Sequence, residues 1–477
     1  MKGGFLALWT AILCGCAVGP AYVRPPSPTL SAYAEFDAHV YSTAPPIDPF
    51  WRTLDDVTLA QLIENALILN TDLRAAVARL DRAGALAGLS RFEQAPTVTA
   101  SGAYARTRES AVQAPGFSRA QRDLNIYQDA AVFSWELDFF GRVRRSVGAA
   151  RADRDATLAD LYALRVSLAA EVARTYFQLR GAQEQLDVAR SNAENQRATL
   201  QLTEARLQAG RGTDFDTARA RVQLESTLAR IPLLEDVIAV AAHRLAVLAG
   251  KPPGELLQLL EPSAPLPKLP HTVAVGEPAD LLRRRPDIAA AERRLAASTQ
   301  RIGVATAALF PRVTLLGSVG AVATDGHDLF SRDAQSYSFG PAIDWSFLDV
   351  GRVRARIEAS RADAAADLAL YEGTVLRAYE EAENALHGYT RAQAALDNLE
   401  RAAAAGGDAA RLAHQRFEGG ASDFLQVLEA ERARLDAEDA LAQAHLRAAT
   451  ALVAVYRALA GGAANQVPAP AAPSPRT

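Results

Sequence analysis

Two cysteines and two small groups of carboxylates are the residues of this chain whose placement invites chemistry. Cys14 and Cys16 are its only cysteines, which excludes a disulfide or a thiolate metal site in the body of the chain. A thiol so close to the start of a chain can instead accept an acyl group. The seven histidines are scattered. They show no His-Glu-x-x-His spacing and no Cys-His pairing, and Gly250-Lys251 lacks the upstream glycine of a phosphate loop. Thr324-Asp325-Gly326-His327-Asp328 has some letters of a metal loop, but it sits where a hairpin must reverse and Asp-Gly is turn chemistry. No catalytic constellation emerges. The carboxylates follow two glycine-rich turns: Asp214 and Asp216 come after Gly210 and Gly212, and Asp423 and Glu429 after Gly419 and Gly420. Beside Thr213 and Ser422, Asp214 and Asp423 are placed to cap the helices that start there.

Two very long helices position those turns. From Gly141 to Ala209 no proline intervenes, and at about 1.5 Å per residue the run spans roughly 100 Å. Leu158, Arg165, Val172, Leu179, Leu186, Ala193, Leu200 and Leu207 recur at heptad spacing, with Leu161, Leu168, Thr175, Ala182 and Ala189 at the companion seam position. That is a sustained coiled-coil signal. The register returns as Leu368, Val375, Ala382, Tyr389, Leu396, Ala403, Ala410 and Phe417. Gly351-Arg352-Val353-Arg354 opens the second copy as Gly141-Arg142-Val143-Arg144 opens the first. Asp72 to Pro96 has the spacing of Asp287 to Pro311, and Trp135 to Gly141 that of Trp345 to Gly351, so the chain reads as a duplication.

The order along the chain follows. Lys2 and the apolar run from Phe5 to Leu13 form a short secretory signal ending in Leu13-Cys14-Gly15-Cys16, which resembles a bacterial lipobox. Cys16, preceded by glycine, suits the acylated position better than Cys14, and Ala17 is not the aspartate of an inner-membrane retention signal. The reading is a signal peptide (1–15), a lipidated strap (16–50) rich in proline, and a first repeat (51–260). That repeat holds a helix from Trp51 to Gln94, capped at Asp55 or Thr58 and interrupted at Asn70. A strand pair (96–137), the long helix (141–209) and a return helix (214–249) follow it. A linker (261–284) leads to a second repeat (285–461) with a helix, a strand pair (311–347), a long helix (351–418) and a return helix (422–460). The Pro/Ala-rich tail (462–477) is expected to be disordered.

No apolar run reaches the roughly 20 residues of a membrane-spanning helix. Any crossing must therefore use strands. Tyr337, Phe339, Pro341, Ile343, Trp345 and Phe347 alternate with Ser336, Ser338, Gly340, Ala342, Asp344 and Ser346, which suits lipid on one face and water on the other. In the second strand the alternation is poorer, because Asp129 shares the phase of Tyr127, Phe133 and Trp135. Four strands can neither close on themselves nor leave open edges in lipid, so copies of the chain are expected to share a barrel. A formal net charge of -4 over 477 residues gives no sign of a nucleic-acid partner.

At this point the chain resembles the outer membrane factors, the TolC/OprM-like family, and within it the lipoprotein (NodT-type) efflux branch. The residues that carry the resemblance are Cys16-Ala17-Val18-Gly19-Pro20 with Tyr22 and Pro25, Leu282-Arg283-Arg284-Arg285-Pro286-Asp287-Ile288, Phe310-Pro311, the Gly-Arg helix openings and Leu248-Ala249-Gly250. The resemblance implies a mixed, mainly α fold. It would be a homotrimeric outer-membrane β-barrel with four strands per chain, continued by a long periplasmic α-helical barrel, with an internal two-fold repeat. It implies the exit duct of a tripartite efflux or secretion system of a Gram-negative bacterium. Its partners would be a periplasmic adaptor (membrane fusion) protein, an inner-membrane transporter of resistance-nodulation-division type, and outer-membrane lipid. No residue separates that transporter class from ABC or major-facilitator partners, and none identifies the cargo. No cofactor is expected beyond the covalent lipid on Cys16, an N-acyl (palmitate) and S-diacylglycerol group.

The same resemblance assigns the turns to the periplasmic tip. Arg206, Gly210, Thr213 and Asp214 occupy the first copy of the tip motif, and Arg416, Gly420, Ser422 and Asp423 the second. Asp216 and Glu429 are the candidates for acids ringing the lumen, and Ser422 stands where some relatives carry a gating arginine. Trp135, Trp345 and Phe347 are the candidate membrane-interface aromatics. The competing expectation is a non-pore, lipid-anchored periplasmic coiled-coil spacer or adaptor. Two helical hairpins and two membrane-type strand pairs favour the duct.

Overall fold

The computed structural model describes residues 17–26 and 30–460. Cys16, the signal peptide and the tail at 462–477 lie outside the described residues. The chain is mainly helical and divides into two compact units.

The first unit, from residues 17–26, 79–158 and 290–372, is built on one antiparallel sheet. Numbering the elements in chain order, its strands are β2 (Thr97–Arg108), β3 (Asp123–Leu137), β5 (Arg312–Ala323) and β6 (Gln335–Asp344); β1 (Tyr41–Ser42) and β4 (Val273–Ala274) belong to the other unit. They pair in the order β2-β3-β5-β6, which leaves β2 and β6 as edges. Register carries the alternation across the whole sheet. Val98 faces Phe133, Phe133 faces Gly317, and Gly317 faces Phe339. On the other face Ser318 opposes Ser338, with their hydroxyls 2.8 Å apart. The apolar face is bare: Tyr337, Phe339 and Ile343 are 70% exposed or more. Asp129 lies on that face and is satisfied there, because its Oδ1 accepts from the Ala321 N–H at 2.7 Å. A Cβ at Gly320 would collide with the Asp129 carbonyl.

β6 ends at Asp344, so Trp345 and Phe347, expected within the strand, lie beyond it. Their rings pack at 5.4 Å. The two tryptophans make matching bonds: Trp135 Nε1 donates to Gln94 O at 3.0 Å, and Trp345 Nε1 to Leu309 O at 3.1 Å. Phe140 and Phe310 stack beneath the strands at 4.6 Å. The chain just after Cys16 is clamped to this unit. Val18 N–H donates to Phe140 O, and Arg145 donates to the carbonyls of Val18 and Gly19. Tyr22 donates to Glu292 at 3.0 Å. Gly141, at φ +83°, is required there because a Cβ would overlap Ala17.

The second unit, from residues 30–78, 159–289 and 373–460, is helical apart from a parallel bridge between β1 (Tyr41–Ser42) and β4 (Val273–Ala274). The helix expected from Trp51 to Gln94 is three pieces: a 3-10 turn at Phe50–Leu54, α1 (Val57–Leu69) and α2 (Thr71–Phe92). Asp56, not Asp55 or Thr58, caps α1 by accepting from Leu59 N–H. Buried Asn70 makes the break: its Oδ1 accepts from Asp72 and Leu73 N–H, while its Nδ2 donates to Leu248 O.

The first long helix is α3 (Arg142–Gln208). Its return is not the single helix expected over 214–249 but α4 (Asp214–Leu228) and α5 (Arg230–Leu248), broken at Ala229. Pro232 has no N–H to give the Leu228 carbonyl one turn back, which weakens the helix there. The stretch expected as a linker (261–284) contains a helix, α6 (Pro278–Arg284), opened by its own proline. Then come α7 (Pro286–Ala307), the second long helix α8 (Val350–Glu418) and an unbroken return α9 (Phe424–Ala458). The seam positions Leu161, Leu168, Thr175, Ala182 and Ala189 are all buried, which is what heptad packing demands.

Arg285 accounts for the Arg-Pro-Asp run. Its guanidinium is 8% exposed and forks onto Asp287 at 2.7 and 3.0 Å, while Nη2 also reaches Glu381 at 2.8 Å. Nη1 donates to Ala458 O at 3.1 Å, at the end of α9. One side chain thus ties the start of α7 to α8 and to the last turn of α9.

Candidate functional site

Both helical turns are built alike from backbone bonds. Gly210 adopts φ +69°, its N–H donates to Leu207 O at 2.9 Å, and Arg211 N–H reaches back to Arg206 O at 2.8 Å. Gly420 adopts φ +73°, donates to Phe417 O at 3.1 Å, and Ala421 N–H reaches Arg416 O at 2.8 Å. This is the paired 5→2 and 6→1 closure that uses a left-handed residue after a helix. Gly210 and Gly420 therefore carry the turns. Gly212 is held by space, since a Cβ would sit 3.1 Å from Leu207 N, whereas at Gly419 a Cβ meets only ordinary contacts.

The caps differ between copies. Thr213 caps α4: its Oγ1 accepts from Asp216 N–H at 3.2 Å and donates to Asp216 Oδ2 at 2.6 Å. Asp216 is thus partner to the cap, and Asp214, expected to be the cap, is a first-turn acid beside the positive helix end. The hydroxyl wins because it can both accept from the backbone and donate to the carboxylate. In the second copy Asp423 is the cap, its Oδ1 accepting from Gln426 N–H at 3.2 Å. Glu429 is exposed and has no ion-pair partner among the described residues.

Only one predicted tip residue bridges the two turns. The Arg206 guanidinium carbon lies 3.9 Å from the centroid of the Phe417 ring. Phe417 packs on Phe424 at 5.5 Å, inside a buried cluster with Val427 and Ala220. Arg416 is exposed and contributes its backbone carbonyl. The structure does not bring Asp216 and Glu429 together.

Sequence reasoning missed the polar seam beside the two turns. Asn192, Gln196, Thr199 and Thr203 follow helical spacing along α3 and are all buried. Arg434 Nη2 donates to Asn192 at 3.0 Å, and Glu431, itself buried, takes bonds from His414 and Thr199. The signal was present as heptad spacing in polar letters, which a search for apolar repeats passes over.

The profile of the family described as "Outer membrane efflux protein" matches residues 62–251 and 278–461. Nodulation protein T of Rhizobium leguminosarum bv. trifolii is 31% identical over 437 residues, covering 91% of this chain and 92% of the relative. Outer membrane protein OprJ of Pseudomonas aeruginosa is 31% identical over 464 residues, covering 96% of each. The solved outer-membrane channel OprN superposes with a TM-score of 0.88 at 42% identity, covering 94% of this chain and all of that one. The chain belongs to the outer membrane efflux protein family. It is an outer-membrane efflux channel that extends into the periplasm.

Proposed function

We propose that three copies share one barrel and one helical tunnel, forming the exit duct of a tripartite pump served by a periplasmic adaptor and an inner-membrane transporter of resistance-nodulation-division type. The observation that carries this reading is the sheet of the first unit, which exposes an apolar face and leaves two long edges unpaired among the described residues. Open edges are not viable in lipid, and three four-stranded sheets supply twelve strands, within the range of bacterial barrels. The matching tryptophan bonds and glycine turns support an internal duplication with the boundaries given above. Cys16 carries the lipid. The clamped residues 17–24 support a fixed anchor point, and Trp135, Trp345 and Phe347 sit at the membrane interface. Asp216 and Glu429 set the charge of the tunnel mouth.

The test is the mass of the acylated protein in detergent together with its single-channel conductance in a planar bilayer. A trimer with a small, mostly closed conductance is expected. A monomer without conductance would leave the chain as a lipid-anchored spacer.

A further inference from the structure

One histidine of the second unit is held by three helices at once. His445 of α9 sets Nδ1 2.8 Å from Glu184 Oε1 of α3, and Nε2 4.0 Å from Glu400 Oε1 of α8. Its ring is about one-third exposed and opens on a cavity of about 900 Å³. The other charged groups lining that cavity are Asp187 of α3, Asp397 of α8, and Lys268 and His271 of the linker. Asp187 is already engaged by the Ser263 hydroxyl at 2.7 Å.

Protonation changes what this ring can hold. A neutral imidazole has one N–H. Given to Glu184, it leaves a lone pair on Nε2 facing the Glu400 carboxylate. An imidazolium has two N–H groups and a positive charge, so it bonds Glu184 and holds Glu400 as an ion pair at 4.0 Å. We infer that His445 is a proton-operated brace: protonated, it ties both long helices to the second return helix, and deprotonated, it lets go of Glu400 and slackens the contact. The hydrogen bond to Glu184 raises the pKa of His445 above its ordinary 6.5, against the opposing effect of burial. The brace is therefore complete below the ordinary value and is lost as pH rises through the raised one. For a tunnel lined by these helices, opening is easier at high pH than at low pH. That consequence rests on the channel reading, whereas the brace itself does not.

The experiment uses the full-length acylated protein in detergent and compares unfolding midpoints at about pH 5.5 and about pH 8.5, on either side of the histidine range. The wild type should exceed His445→Gln at the lower pH, with the advantage shrinking at the higher one. Glu400→Gln, an exposed change that leaves the Glu184 bond in place, should reduce the pH-dependent part. An advantage of the same size at both pH values, or one untouched by Glu400→Gln, overturns the brace. In a bilayer, wild-type conductance should rise severalfold from the lower pH to the higher one, and His445→Gln should be flat. Zero conductance at every pH would sink the channel reading and leave the brace to be decided by the midpoints.

Discussion

Removing the Arg285 side chain tests whether the Arg-Pro-Asp run is a structural keystone. Its guanidinium donates to Asp287, Glu381 and the Ala458 carbonyl while only 8% exposed. Breaking a buried pair from one side costs about 3–5 kcal/mol when the remaining charge stays buried. Here the surviving acids are 38% and 47% exposed, so water recovers much of that. The Ala458 carbonyl recovers less, and leaving a buried acceptor unpaired costs about 1–3 kcal/mol. Losing a cation at the end of α9 adds about 0.3–1 kcal/mol. Arg285→Ala is therefore expected to destabilise the protein by about 3 kcal/mol, the sum of those pieces. Arg285→Lys keeps the charge but cannot fork onto a carboxylate and a carbonyl together, and should recover less than half. The assay is denaturant unfolding of the full-length protein in detergent, followed by tryptophan fluorescence. Arg285→Ala within about 0.5 kcal/mol of wild type, the scale of an ordinary surface change, would refute the keystone; so would full recovery by Arg285→Lys.

Neutralising the proposed tunnel-mouth acids as Asp216→Asn with Glu429→Gln should raise leak conductance and shift ion selectivity away from cations; unchanged reversal potentials would remove both residues from the lumen. Gly420→Ala and Gly210→Ala should each cost about 1 kcal/mol because the left-handed turn penalises a Cβ, while Gly419→Ala should be silent in the same unfolding assay. Phe417→Leu keeps the cluster at the turns apolar but removes the ring under Arg206, worth about 0.5–1 kcal/mol, and adds a packing loss because leucine is smaller. It should increase leak more than it lowers the unfolding midpoint, and equal leak would show that Arg206 does not help close the tip.

The turns show how far one-dimensional reading reaches. That Thr213 and not Asp214 caps α4 depends on a single residue of phase at the helix start, within reach of local chemistry yet finer than the pattern resolves. Asn70 was legible as a break because its polar amide interrupts an apolar period. Its second role, donating to Leu248, was not, because that partner is 178 residues away. Asp129 looked like a fault in the strand until the register with β5 brought the Ala321 N–H to it.

What the sequence determined alone is whatever is written at short range: two heptad-bearing helices, strands of period two, glycine turns, and a cysteine after an apolar run. These follow from local backbone geometry and from which face must be apolar, so they are written in neighbouring residues. Tertiary structure decided the pairings: Arg285 with Ala458, Arg206 with Phe417, and His445 between Glu184 and Glu400. Each joins helices far apart in the chain and requires their rotations about their own axes to agree. A heptad limits that rotation only to a broad stripe, and packing alone selects which polar side chain within the stripe meets which partner.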